Sequence, residues 1–315
     1  MKQENMLVYR NPYILEFMYG YNSKNEITLE FYAGNDAVQN IVMQPTDNEP
    51  KRLYHYCSFE AFSNIVLSRK IWLTPLSNMN DKKEVLWFLE LLDRNIHERN
   101  KSEKQNLLYM MLKAIIMLNL EDAYASCYTT LCDNFEKWEI YGDKQCGICF
   151  EINPRVLPIT RDLPFKGCAG EQNLNSCAFL KINYDHEQQN DAILNVLNLI
   201  SKNNKVFEYA NYLSKVAYFC KRRNFKTEEE WRILYSPKIN LEKINEINDF
   251  NKFDISSLKD ENFVKHYEIP LLNGFITKII IGSESKIKKS DIMYLIQKSG
   301  LDNINNPIEI VNSDI

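Results

Sequence analysis

Glycine is scarce in this chain, nine residues in 315. None of them builds the glycine-rich cradle that wraps nucleotide phosphates, and neither a Walker-type loop nor a dinucleotide fingerprint occurs. Long hydrophobic runs are missing too. The best stretch, Leu107 to Leu120, is interrupted by Lys113 and Asn119, short of the roughly 18 uninterrupted apolar residues of a membrane helix. Positive charge is not in excess. A net charge of −4 argues against gripping nucleic acid by bulk electrostatics, although Lys221, Arg222, Arg223 and Lys226 form a local basic group. The opening residues lack a basic segment followed by an apolar core, so the eight cysteines are expected as reduced thiols of a cytoplasmic protein. Cys146 and Cys149 have the spacing of half a zinc site with no second pair or histidine nearby. They read as small buried hydrophobes, and no metal site is expected.

What is present is enough to fold. Hydrophobic residues make up 45% and aromatics 12% of the chain, which excludes a disordered reading. Residues 1–50 alternate strand-like runs with Asn- and Gly-containing turns and close on Pro45 to Pro50, so they read as a strand-rich N-terminal extension. Residues 51–315 read as a single domain. Its expected strands are Leu53 to Cys57, Ile71 to Pro75, Ala123 to Leu131, Gln145 to Glu151, Cys177 to Tyr184, Trp231 to Tyr235, Val264 to Pro270, Phe275 to Ile281 and Ile308 to Val311. Its helices are expected after Ser58, from Asp81 to Arg99, from Ser102 to Leu120, near Asn134 to Tyr141, and over Gln189 to Lys202, Val206 to Lys221 and Lys286 to Lys298. The segments 159–176 and 241–261 read as irregular. Strands scattered among helices without regular βαβ spacing predict an α+β fold, with a mixed or antiparallel central sheet flanked by helices.

Three places carry candidate chemistry. In Lys226 to Tyr235, KTEEEWRILY, strand alternation puts Glu230, Arg232 and Leu234 on one face and Trp231, Ile233 and Tyr235 on the other. Charges riding on such an apolar element either satisfy each other or belong to a site. His55, between Tyr54 and Tyr56 in a strand just before a helix, can present ring hydrogen bonds at the end of the sheet. His97 and His186 read as surface residues, and His266 stays open between buried and exposed. Trp138 and Tyr141, three apart on one short helix, are neighbours that can either sandwich a planar ring or pack into the core.

Taken in order, LYHYCS at Leu53 to Ser58, LTPLSNMND ending at Asp81, the SCYTT...W..YGD..CGICFEI block, EEEWRI at Glu228 to Ile233, and KIIIGS with the closing IEIVNSDI resemble a bacterial family catalogued as domain of unknown function 2971. The resemblance spans about residues 51–315. That family is in turn similar, more distantly, to ADP-ribosyltransferases of the histidine-tyrosine-glutamate type. The second resemblance implies an ADP-ribosyltransferase-like fold and an enzyme that cleaves the nicotinamide–ribose bond of NAD. It would pass ADP-ribose to a protein or nucleic-acid acceptor, as a toxin or antiphage effector with a possible neutralising partner. It also implies roles: His55, with Tyr56 and Arg232, holding the dinucleotide; Trp138 or Tyr141 stacking on nicotinamide; Glu230 on the nicotinamide ribose; Glu228 orienting the acceptor. Cys57 stands where a hydroxyl-bearing residue is usual, which would weaken one ribose hydrogen bond. Two other readings fit the same residues: a metal-independent nuclease using His55, Tyr141, Glu230 and Arg232 as acid, base and phosphate clamp, and a non-catalytic protein-binding module.

Overall fold

A computed structural model describes residues 50, 52–79, 84–99, 101–120, 123–156, 177–203, 206–235, 259–261, 264–301 and 307–315. The expectations for residues 1–49 and 159–176, and for Asp81 as a helix cap, lie outside the described residues. So does most of 241–261, of which Lys259–Glu261 forms a strand.

Ten described strands form one sheet: β1 Leu53–Cys57, β2 Lys70–Pro75, β3 Tyr124–Thr129, β4 Ile148–Ile152, β5 Cys177–Lys181, β6 Glu230–Tyr235, β7 Lys259–Glu261, β8 Val264–Pro270, β9 Ile276–Ile281 and β10 Glu309–Asn312. All pairings are antiparallel except β9 with β10. Seven described α-helices flank it: α1 Phe59–Ser68, α2 Glu84–His97, α3 Glu103–Leu120, α4 Phe135–Tyr141, α5 His186–Asn203, α6 Val206–Tyr218 and α7 Lys289–Ser299. The fold is α+β, as the pattern of elements predicts. Among the described residues no helix is long and apolar enough to cross a membrane.

Local chemistry sets the element ends. The Ser58 hydroxyl accepts the Ala61 N–H and starts α1, and the Asn134 side chain accepts the Lys137 N–H and starts α4, each satisfying an orphan donor of a first turn. Gly300, left-handed at φ 69°, stops α7, the conformation a helix C-cap asks of glycine. α6 ends at Tyr218, three residues before the expected Lys221, and releases Lys221 into a loop.

Burial splits into layers. The helices α2, α3, α5 and α6 pack with Ala125 and Leu234 on one face of the sheet. α1 and α7 cover the other face through Phe62, Val66, Ile292 and Ile296 against Phe150, Ile233 and Ile279. α4 adds a small third cluster, Trp138 against Tyr54, Tyr56, Cys149 and Ile280.

One irregularity in the topology decides where the site lies. β3 pairs along one edge with all of β6. Its other edge is shared: β2 takes Tyr124 and Ala125, and β1 takes Thr129 alone, opposite Tyr54. The sheet therefore divides into β10-β9-β4-β1 and β5-β6-β3-β2-β8-β7, joined at one residue pair. Ser126 to Tyr128 border a gap between β1 and β2.

Candidate functional site

That gap opens into a cavity of about 1300 Å³ lined from both faces of the sheet, by α1, β1, β2, β3, α4 and the loop that carries Phe225 and Glu228, larger than most small-ligand pockets. The acidic cluster sits at one side of it. Because Thr129 lies opposite both Tyr54 and Glu230, the side chains of Glu230 and Arg232 project on the face that α4 covers.

A 3₁₀ turn over Arg223–Glu228 runs into β6 through Glu229, held left-handed at φ 45°. The kink is fixed on both sides: the Thr129 hydroxyl donates to the Glu228 carbonyl at 2.7 Å, and the Glu230 N–H donates to the Tyr184 hydroxyl at 3.1 Å. Glu229 itself turns outward, and its carboxylate accepts from the Thr130 hydroxyl.

Glu228 and Glu230 then share one cation. Lys221 Nζ donates to Glu228 Oε2 at 2.6 Å and to Glu230 Oε2 at 2.7 Å. The Arg232 guanidinium donates twice to Glu230 Oε1, at 2.6 and 3.0 Å, and once to the Tyr218 carbonyl at 2.9 Å. Glu228 Oε1 accepts from the Tyr141 hydroxyl at 2.9 Å. Burial alone would raise the Glu230 carboxyl, but Arg232 and Lys221 more than reverse this and hold it at about 2. Both partners of a buried pair must be present for such a group to stay charged. The Glu230 side chain is 7% exposed and that of Glu228 is 16% exposed, so Glu228 is the carboxylate more open to the cavity.

His55 reaches the same cavity from the other face. Its ring packs at a tilt on Tyr128 and Phe150, and Nδ1 lies 2.8 Å from the Cys127 carbonyl. A carbonyl only accepts, so Nδ1 carries the proton and Nε2 of the neutral ring is an acceptor. Burial lowers the His55 pKa, with the Cys127 carbonyl opposing in part, which keeps the ring neutral. Cys127 is beside it, its thiol pushed well up by burial and then by Glu230; it is no thiolate nucleophile.

Tyr141, Glu228, Glu230 and Arg232 thus form one bonded cluster, and His55 shares its cavity without bonding to it. The two aromatics of α4 are placed differently. Tyr141 lines the cavity, whereas Trp138 is wholly buried, stands edge-on to Tyr56 and donates its indole N–H to Asp133 at 2.7 Å. The Tyr56 hydroxyl is likewise engaged, donating to the Leu131 carbonyl and accepting the Asn134 N–H. Tyr56 and Trp138 brace α4 against β1. Arg232 is 1% exposed and spends its donors on Glu230 and the Tyr218 carbonyl, which positions the carboxylate.

Residues 137–233 match a family model described as Protein of unknown function (DUF2971). The matched span runs from α4 to β6. It therefore contains Tyr141, Lys221, Glu228, Glu230 and Arg232, and it supports the family resemblance over that part of the chain; β1 and His55 lie outside it. No curated protein and no solved structure matches the chain.

Within the matched span, two cavity residues escape a reading by motif. Lys221 follows α6 in a run of three basic residues, and its role appears only when the loop folds it between two carboxylates. Lys137 is the first residue of the span; the interval of four to Tyr141 places both on one helix face, the one sequence signal that marks it. Of the remaining histidines, His97 is exposed with Nδ1 beside the Asp93 carbonyl. His186 is half-buried against Trp87, so the surface reading holds only in part there. His266 is buried and stacks on Trp72 with ring centroids 3.7 Å apart. Cys149 is buried, as its reading requires, but Cys146 is exposed.

Proposed function

We propose that this protein is an ADP-ribosyltransferase-like enzyme that takes NAD as substrate in the cavity between the two half-sheets and transfers ADP-ribose to a protein or nucleic-acid acceptor. The observation that carries this reading is the Tyr141–Glu228–Lys221–Glu230–Arg232 chain on one wall of a dinucleotide-sized cavity, with a neutral histidine on the other wall.

Cleaving the glycosidic bond sends its electron pair to the pyridinium nitrogen, so nicotinamide leaves neutral and needs no strong acid. Positive charge develops at the anomeric carbon, and a fixed carboxylate beside it lowers the barrier. Glu228 is the carboxylate placed to do this: it is the more open of the two, and Tyr141 orients it. The acceptor then bonds to the anomeric carbon and gives its proton to the same carboxylate. Glu230 neutralises Lys221 from the inner side and so holds the ammonium that orients Glu228. His55 Nε2 accepts a ribose hydroxyl, and the Tyr141 ring lies against the nicotinamide.

The test is nicotinamide release from NAD by the purified chain. Glu228→Gln is expected to lower the rate about 10²–10³-fold, the usual loss on removing one electrostatic stabiliser, while the melting temperature stays within a few degrees. Glu230→Gln is expected to lose both rate and stability. Wild-type release in Glu228→Gln overturns the assignment, and metal-free RNA cleavage with no NAD turnover replaces it with a nuclease.

A further inference from the structure

Apart from Lys137, the lysine and arginine side chains that line the cavity are each bonded to a carboxylate. Lys70 is bonded to Glu268 at 2.6 Å, Lys221 to Glu228 and Glu230, and Arg232 to Glu230. Lys137 also lines the cavity and is 5% exposed. Among the described residues no carboxylate pairs with its ammonium and no hydrogen bond reaches it. The ammonium stands over the face of the Tyr141 ring, 5.3 Å from the centroid. The neighbouring Glu136 lines the cavity too, but it is exposed and attracts the ammonium less than Glu228 and Glu230 do. An unpaired cation is unfavourable at such a site unless something else supplies the counter-charge. Burial accordingly pulls its pKa down, against the attraction of Glu228 and Glu230.

We propose that Lys137 is an anion anchor: the cavity's ligand carries a phosphate that seats on this ammonium, one helical turn from the Tyr141–Glu228 pair. This rests on the reading of the cavity as a nucleotide site and adds where the phosphate goes. Lysine is a point-charge phosphate binder, and no glycine-rich loop in the chain competes for the role. Lys137 Nζ lies 5.3 Å from the centroid of the Tyr141 ring, whose hydroxyl is bonded to Glu228. That is the order of the separation between the anomeric carbon of a nucleotide and its own 5′-phosphate. A ligand with its ribose at Glu228 therefore brings its diphosphate to Lys137, and the diphosphate supplies the ion-pair partner that this ammonium lacks among the described residues.

The experiment is calorimetric titration of the full chain with ADP-ribose, and with adenosine as the uncharged control, on wild type, Lys137→Gln and Lys137→Arg. Lys137→Gln is expected to weaken ADP-ribose at least tenfold and leave adenosine unchanged, and Lys137→Arg to restore most of the loss. The fall of ADP-ribose affinity with added salt is expected to be shallower in Lys137→Gln. Neutralising Lys137 removes a desolvation cost as well as the attraction of Glu228 and Glu230, so the ligand-free variant should melt within a few degrees of wild type, which separates lost binding from lost folding. Equal ADP-ribose affinity in wild type and Lys137→Gln overturns the anchor and leaves the nucleotide reading standing. Should no nucleotide bind at all, inorganic pyrophosphate decides. A rise in melting temperature in wild type that is absent in Lys137→Gln keeps the anchor and removes the nucleotide, and no rise in either removes both.

Discussion

Glu228 and Glu230 are two residues apart and bonded to the same lysine, yet they do different work. Glu230 accepts three donors from Arg232 and Lys221 and is nearly sealed from water; Glu228 keeps a face on the cavity. The inner carboxylate makes folding sensitive to acid. Its pKa falls from 4.5 to about 2 on folding, so the unfolded chain takes up the proton first as pH drops. The stability that Glu230 contributes is complete above the unfolded value and is lost as pH falls from there through about 2. Glu230→Gln leaves Arg232 facing a neutral partner and Lys221 with Glu228 alone, and it should therefore be destabilised most at neutral pH. The gap to wild type is expected to narrow between pH 4.5 and 2, where the native carboxyl itself becomes neutral. Urea midpoints of both proteins across that range measure this, and a gap of constant size would mean that Glu230 is not held charged by its neighbours.

The elements around the site are held by close backbone approaches, and these are places where glycine is used. A Cβ on Gly147 would stand 2.2 Å from the Cys57 carbonyl oxygen, where the α4–β4 turn crosses the end of β1. Backbone cannot yield as a side-chain tip does, so Gly147→Ala is expected to destabilise by about 1–3 kcal/mol, the range of overpacking, read as a shifted denaturant midpoint. Because β1 carries His55, the same variant should also weaken ligand binding. At this scale the sequence was most legible. The alternation of Glu230, Arg232 and Leu234 against Trp231 and Ile233 appears in β6 as expected, because a strand has only two faces to offer. The placements of Trp138 and Tyr141 were not legible: two aromatics three apart share a side of a helix, and only the packing of β1 and β4 beneath α4 decides which is buried. Lys221 was read as part of a basic patch because charge pairing across a loop leaves no periodicity to read.

At the scale of the molecule, the described strands of the two half-sheets pair at one position, Tyr54 opposite Thr129, and the cavity occupies the opening beside that junction. Neither local pattern nor composition reveals the division, since each strand on its own looks like an ordinary member of a continuous sheet. The gap has a consequence for the backbone. In an antiparallel ladder the N–H and C=O of one residue point to the same side, and the Cys127 carbonyl points at His55, away from β6. The Cys127 N–H must then point toward the gap as well, while those of Ser126 and Tyr128 face β6. Between Ala125, paired with β2, and Thr129, paired with β1, Cys127 is paired with neither strand, and its carbonyl is taken by the His55 ring. Hydrogen exchange of the ligand-free chain should therefore find the Cys127 amide faster than its two neighbours. A ligand that spans the gap should slow it along with the amides of β1, because it ties together half-sheets that the fold joins at one pair. If Cys127 is already as protected as Ser126 and Tyr128 before ligand is added, the half-sheets are closed in solution and the cavity does not reach the sheet between them.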